Sequence, residues 1–261
     1  MCNAQVCGSQ CHLHGVRRDA EVARQRRLLT PPIEERLIVA LDVPSNEDAL
    51  ELVDTLGDAV HFYKIGLELF VADDHRGLIR RLQALRKRLF FDLKLYDIPN
   101  TVAHATKEAA GLGADFVTVH GDRKIMDAAA AAKGDTKVLA VTVLTSLDET
   151  DLADVGFGGA VSDLVLTRAN LAAEAGCDGV IASPQEARRI HEELGDRLLI
   201  VTPGIRPATD RPADDQKRVA TAAEAIAAGA DHLVVGRPVR AAADPRAAAV
   251  ALQAEIAATR R

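Results

Sequence analysis

LIVALDVPSNEDALELVDTLGD (Leu37–Asp58) sets the pattern on which the fold is read. Its first part, LIVALDV (Leu37–Val43), is a near-continuous apolar run, the mark of a strand buried on both faces as in a parallel sheet. Ser45 then offers a helix cap, with Asp48 three residues on. Leu52, Val53 and Leu56 recur at helical spacing, and Gly57 marks the end. The unit repeats along the chain. FYKIGLEL (Phe62–Leu69), LFFDLKL (Leu89–Leu95), FVTVHG (Phe116–Gly121), KVLAVTVL (Lys137–Leu144), GVIAS (Gly179–Ser183), LLIVTPGI (Leu198–Ile205) and HLVVGRPV (His232–Val239) bring the apolar runs to eight. Helical stretches such as TVAHATKEAAGLG and TAAEAIAAGA lie between them and end in Gly111 and Gly229. Eight strand–helix pairs predict a parallel sheet closed into a (β/α)8 TIM barrel rather than a doubly wound open sheet. No Gly-x-Gly-x-x-Gly follows the first run, so the dinucleotide fingerprint is missing.

Composition narrows the class. With 48% hydrophobic and 27% charged residues among 261, disordered, collagenous and fibrous chains are excluded. Aromatics make up 3% and tryptophan is absent, so Ala, Val, Leu and Ile must fill the core, and base-stacking nucleic-acid platforms are disfavoured. A formal charge of −6 disfavours a polyanion spread over the surface while leaving room for a local phosphate site. No apolar run approaches the ~20 residues of a membrane span, and the N-terminus shows no secretory apolar core. Neither nucleic acid nor membrane is therefore expected as a partner. Cys2, Cys7 and Cys11 crowd the start and Cys177 stands alone, which makes no disulfide framework and points to the cytoplasm. Residues 1–30 set five arginines against Asp19 and Glu21 and read as a loose tail, or as a start placed upstream of the true one. Their Cys7, Cys11, His12 and His14 match no closed zinc spacing. Residues 31–261 form the expected barrel domain.

Charges inside apolar runs need a reason. Asp42 lies near the end of the first run and Lys64 within the second. Asp92 and Lys94 are two apart in the third, hence on one face of a strand, and Asp97 follows just beyond. A buried ion-pair network at the barrel mouth would be the structural explanation, but such networks stabilise poorly. Several ionisable groups at matching strand ends point to a site, since barrel active sites lie at the C-terminal ends of the strands. VTPGIRP (Val201–Pro207) closes the seventh run and Gly236-Arg237-Pro238 the eighth. Loops after barrel strands 7 and 8 commonly grip phosphate. Gly236 permits close backbone approach and Arg237 offers a forked donor. Arg206 to Gln216 is long for a connection and reads as a lid. His120 ends the fourth run, where site lining and packing are both open; His61, His75, His104, His191 and His232 read as surface or packing residues. Cys177 reads as a small core filler.

FFDLKLYDIPNT, with its D-x-K-x-x-D-I-P-N-T core, resembles the signature of the orotidine 5'-phosphate decarboxylase family. LIVALDVPS, FYKIGLELF, VTVLTS, VTPGIRP, DQKRVATAAEAIAAGAD and LVVGRP extend the likeness, in order, over roughly residues 36–240 and toward the bacterial branch. The resemblance implies conversion of orotidine 5'-monophosphate to uridine 5'-monophosphate without cofactor or metal, by a homodimer. It implies Lys94 as the lysine that protonates carbon 6, with Asp92 against the substrate carboxylate. Asp97, on a loop with Ile98 and Thr101, would reach into the partner subunit's site. Lys64 and Asp42 would hold ribose hydroxyls and complete the charge array. Thr145 and Ser146 would meet the pyrimidine edge, with the choice between them open. Pro203, Arg206, Gln216, Gly236 and Arg237 would form the lid and phosphate grip. One departure stands out: Thr221-Ala222-Ala223-Glu224 replaces an expected Thr-Pro-Ala-Glu, at a helix start rather than a ligand. Two rivals share these features. A Mg2+-dependent sugar-phosphate decarboxylase or epimerase would use the Asp–Lys pair, but Ile98-Pro99-Asn100-Thr101 speaks against it. A non-catalytic phosphate-binding barrel would not need the full charged cluster of Lys64, Asp92, Lys94 and Asp97.

Overall fold

The computed structural model describes residues 31–72, 74–207 and 219–259; the expected tail at 1–30 and Gln216 lie outside them. Eight parallel strands close in sequential order: β1 (Leu37–Ala40), β2 (Phe62–Gly66), β3 (Arg88–Leu95), β4 (Phe116–His120), β5 (Lys137–Val141), β6 (Gly179–Ile181), β7 (Leu199–Thr202) and β8 (His232–Val235), which pairs back on β1. The expected barrel is present. Each strand starts within a residue of its apolar run, but most stop early: β1 ends at Ala40 rather than Val43, and β8 at Val235 rather than Val239. Several apolar side chains past the strand ends, among them Leu41, Val43, Val143 and Ile205, stay buried while the backbone leaves the ladder, so apolar character outlasts pairing. Val239, for example, is buried but belongs to a helical turn, Arg237–Arg240.

The helices are α1 (Ile33–Arg36), α2 (Asn46–Leu56), α3 (Leu67–Ala72), α4 (His75–Ala84), α5 (Pro99–Gly111), α6 (Arg123–Ala132), α7 (Glu149–Asp154), α8 (Val161–Ala175), α9 (Pro184–Leu194), α10 (Ala222–Ala227), α11 (Arg237–Arg240) and α12 (Pro245–Ala258). At α2, Ser45 Oγ accepts the Asp48 N–H at 3.1 Å and donates to Asp48 Oδ2 at 2.7 Å. At α10, Thr221 and Glu224 cap each other's backbone N–H, so alanine in place of proline leaves the helix start intact. α5 ends at Gly111, as its sequence suggests, and the left-handed residue that follows is Gly113, at φ +78. A side chain there would be strained by that φ and would also collide with Gln83.

Two apolar layers follow from the strand period. Leu37, Val39 and their counterparts pack outward under the helices, while Ile38, Ala40, Phe62, Phe90, Phe116, Leu139, Leu199, Val201 and Val234 form a separate interior cluster. Phe62, Phe90 and Phe116 sit on adjacent strands, with ring centroids 4.9 and 5.9 Å apart. Arg88 lies 4.6 Å over the Phe62 ring and pairs with Asp115 at 2.9 Å and with Glu35, closing the floor. Two residues further along the same three strands stand Lys64, Asp92 and Thr118. The polar mouth is thus the layer directly above the phenylalanine layer.

His232 shares that floor. It is fully buried, edge-on to Phe116 at 5.1 Å, and its Nδ1–H donates to the Glu35 carbonyl at 2.9 Å. Burial holds its pKa down at about 3, against an ordinary 6.5. Between those values the unfolded chain binds a proton at this position that the folded chain refuses, so stability must fall as pH drops below 6.5. Urea midpoints should decline from pH 7 to pH 5, and His232→Gln should flatten the decline by up to about 1.4 kcal/mol per pH unit. Half-buried His120, also shifted down by burial and then by Arg168, contributes with the same sign and persists in the variant. Parallel slopes in parent and variant would refute the assignment to His232.

Candidate active site

Of the cluster expected from Lys64, Asp92, Lys94 and Asp97, the first three come together, and Asp42 rather than Asp97 is the fourth member of an alternating array. Lys64 Nζ, from the middle of β2, lies 3.0 Å from Asp42 Oδ1 and 3.5 Å from Asp92 Oδ2. Lys94 Nζ lies 2.9 Å from Asp92 Oδ1. The inner pair is the most enclosed, with side-chain exposures of 10% for Lys64 and 13% for Asp92 against 31% for Lys94 and 46% for Asp42. Enclosure normally discharges such groups, and here the neighbours win. Burial disfavours the Lys64 ammonium, yet Asp92 and Asp42 outweigh it and hold the pKa above the ordinary lysine value. Burial likewise disfavours the Asp92 carboxylate, yet Lys64, Lys94 and the hydrogen bonds from Lys94 and Thr118 hold it below the usual carboxylate range. The buried Lys64–Asp92 pair therefore stays charged at neutral pH.

The backbone helps to set it. β3 pairs with β4 in register at Phe91–Val117 and again at Leu95–Val119, with a shift between. Within that shift Lys94 has φ +48, rare for a residue with a side chain. The plain strand period that placed Asp92 and Lys94 on one face therefore does not hold through Lys94; the bulge brings its amine beside Asp92 instead. Gly66, two residues beyond Lys64, leaves space for the Lys64–Asp42 pair, since a Cβ there would stand 3.0 Å from Lys64 Nζ and 3.3 Å from Asp42 Oδ1.

Asp42, Lys64, Asp92 and Lys94 open onto a cavity of about 350 Å³. Thr145 and Ser146 beyond β5, Pro203 and Arg206 beyond β7, and Gly236 and Arg237 beyond β8 line the same space. Thr145 is buried and Ser146 exposed. Val141, Val143, Ile181 and Val234 give it an apolar wall. The ends of the connection after β7 are pinned: Ile205 bridges Ala220, with Arg206 N donating to Ala220 O at 2.9 Å. Arg240, one turn beyond Arg237, also lines the cavity. The sequence reading missed it by running the eighth strand to Val239; an i, i+3 arginine pair was the available signal. Gly66 and Thr118 were missed as well, since a glycine or a threonine in an apolar run looks like strand filler.

Three expected residues fall elsewhere. Asp97 and Ile98, on the connection after β3, and Thr101, in the first turn of α5, are exposed and are not among the lining residues; Asp97 Oδ1 accepts the Ile98 N–H at 2.6 Å. His120 packs its ring 4.6 Å from that of Tyr96 rather than lining the cavity. The arrangement suits one kind of chemistry: an ammonium fixed beside a carboxylate can stabilise a developing carbanion and protonate it, while arginines hold an anionic handle.

Comparison with known proteins agrees. Residues 35–252 match the model of a family described as orotidine 5'-phosphate decarboxylase / HUMPS. The chain is 53% identical over 225 residues to an orotidine 5'-phosphate decarboxylase of Methylococcus capsulatus, covering 86% of this chain and 93% of that protein. It is 54% identical over 225 residues to one of a Bradyrhizobium species, covering 85% and 92%. Among solved structures, the Lactobacillus acidophilus orotidine 5'-phosphate decarboxylase superposes with a TM-score of 0.76 at 37% identity, over 86% of this chain and all of that one.

Proposed function

The chain belongs to the orotidine 5'-phosphate decarboxylase / HUMPS family, and on that premise we infer that it decarboxylates orotidine 5'-phosphate to uridine 5'-phosphate. The observation that carries the residue assignment is the Lys94 ammonium, 2.9 Å from Asp92, on the wall of a cavity that also receives Arg206 and Arg237. Breaking the bond from carbon 6 to the carboxylate releases carbon dioxide and leaves the electron pair in an sp2 orbital of the ring. No adjacent carbonyl is placed to absorb that pair, so fixed charge must do it. The Lys94 ammonium stabilises the pair electrostatically, then gives it a proton; the neutral amine regains one from solvent. Asp92 stands against the substrate carboxylate, a repulsion relieved as carbon dioxide departs. Lys64 and Asp42 take the ribose hydroxyls and keep the array charged. Thr145 and Ser146 meet the pyrimidine edge. Pro203, Arg206, Gln216, Gly236 and Arg237 hold the phosphate, whose binding energy aligns the reacting end.

The enzyme in this reading is a cytoplasmic homodimer in which Asp97, Ile98 and Thr101 complete the partner's site. Support comes from apolar side chains left exposed after the adjacent strands β2 and β3: Leu67 and Val71 on α3, and Tyr96 and Ile98 on the connection that follows β3. Among the described residues no helix is long and apolar enough to cross a membrane. The test is direct. Purified protein treated with EDTA and given orotidine 5'-phosphate should lose orotate absorbance and release one carbon dioxide per uridine 5'-phosphate. Turnover that appears only when Mg2+ is restored would instead favour sugar-phosphate chemistry.

A further inference from the structure

We propose that Thr118 is a positioning residue for this reaction, its single hydroxyl fixing both the backbone of Lys94 and the carboxylate of Asp92. The inference rests on the roles given above to those two residues. Thr118 sits in the middle of β4, fully buried, two residues beyond Phe116. Its Oγ1 lies 2.9 Å from Lys94 N and 3.0 Å from Asp92 Oδ1. A backbone N–H can only donate, so the hydroxyl accepts from Lys94 and must point its own proton at Asp92. Both hydrogen bonds leave it a single orientation.

The two contacts fall where β3 departs from regular pairing. The ladder to β4 shifts between Phe91 and Leu95, and Lys94 holds a left-handed φ of +48 inside that shift. Such a conformation persists in a residue with a side chain only where surroundings over-determine it. Thr118 supplies the acceptor for the N–H that the shifted register turns away from the ladder. It also fixes the carboxylate to which the Lys94 amine is tied: Asp92 Oδ1 receives both Thr118 and Lys94 Nζ, while Oδ2 faces Lys64. Without the hydroxyl, both the root and the tip of the Lys94 side chain lose a restraint. Misplacement of a reacting group by about 1 Å can cost roughly 100-fold in rate.

The ordinary role of a buried strand threonine is packing by its methyl group. Two substitutions separate that role from the proposed one. Thr118→Val keeps the shape and removes the hydroxyl; Thr118→Ser keeps the hydroxyl and removes the methyl. Thr118 is not among the residues lining the cavity, so substrate and product contacts should persist. Thr118→Val should lower kcat by roughly 100-fold while KM and the affinity for uridine 5'-phosphate stay close to parent. Thr118→Ser should recover most of kcat. The acid limb of the kcat profile should move to higher pH in Thr118→Val, because one of the hydrogen bonds that keep Asp92 ionised is gone. If Thr118→Val does not fold, Thr118→Ala provides the arm without hydroxyl. Equal losses in Thr118→Val and Thr118→Ser, a loss confined to KM, or near-parental kcat without the hydroxyl would overturn the proposal. Turnover by the parent protein reads the assigned activity separately, so an inactive parent and a failed variant pattern are different results.

Discussion

Replacing Lys94 with alanine should lower kcat on orotidine 5'-phosphate by roughly 10⁵-fold, since it removes an electrostatic stabiliser and a general acid together. Binding of uridine 5'-phosphate should stay measurable, because the remaining cavity wall, with Arg206 and Arg237, is untouched. The fold should survive. Asp92 loses one cation but keeps Lys64 at 3.5 Å and the Thr118 hydroxyl at 3.0 Å. Its carboxyl should therefore titrate nearer the ordinary range than in the parent, without becoming an isolated buried charge. A backbone control excludes misfolding as the cause. Lys94 sits at φ +48, where glycine is at ease and alanine is not. Lys94→Gly should thus melt above Lys94→Ala, by an amount worth about 1 kcal/mol, and still be equally inactive. Pre-steady-state mixing of each variant with substrate, read by orotate absorbance, measures the effect. Activity in Lys94→Ala within about a hundredfold of parent would remove the lysine from the chemical step.

The barrel was legible because parallel strands buried on both faces leave unbroken apolar runs, and eight such runs with helices between have few ways to close. The site was legible for the complementary reason: Lys64, Asp92 and Lys94 violate those runs, and a charge in a buried strand needs partners that other strand ends supply. What the sequence could not convey was local backbone. The bulge at Lys94 leaves no mark in LFFDLKL, because the residues that impose it lie on β4 and on the array itself. Thr118 is invisible for a similar reason. Threonine suits any strand, and only the neighbouring strand shows that its hydroxyl, not its methyl, has work to do. Arg240 was hidden by an apolar pattern that continues through Val239 after the backbone has turned into a helix. Pro203, Arg206, Gly236 and Arg237 were picked out by motif likeness and loop position, and they line one cavity.

Arg237→Ala should lower kcat/KM for orotidine 5'-phosphate by roughly 10²- to 10³-fold, the cost of removing one forked, charge-assisted donor from a phosphate. Most of the loss should appear in KM. The phosphate lies far from the bond that breaks, so the charge array still performs the chemistry once substrate is seated. A smaller fall in kcat should accompany it, because remote binding energy also helps to align the reacting end. Arg237→Lys should fall between parent and alanine: the charge remains while the planar fork is lost. Arg206 and Arg240 line the same cavity and keep the site cationic in either variant, which bounds the damage and makes KM rise with salt in all three proteins. Orotidine without its phosphate supplies the decisive comparison. It cannot use the grip, so its slow turnover should be the same in parent and Arg237→Ala. If the variant loses as much on the nucleoside as on the nucleotide, Arg237 acts on the fold or on the charge array, and the phosphate assignment fails with it.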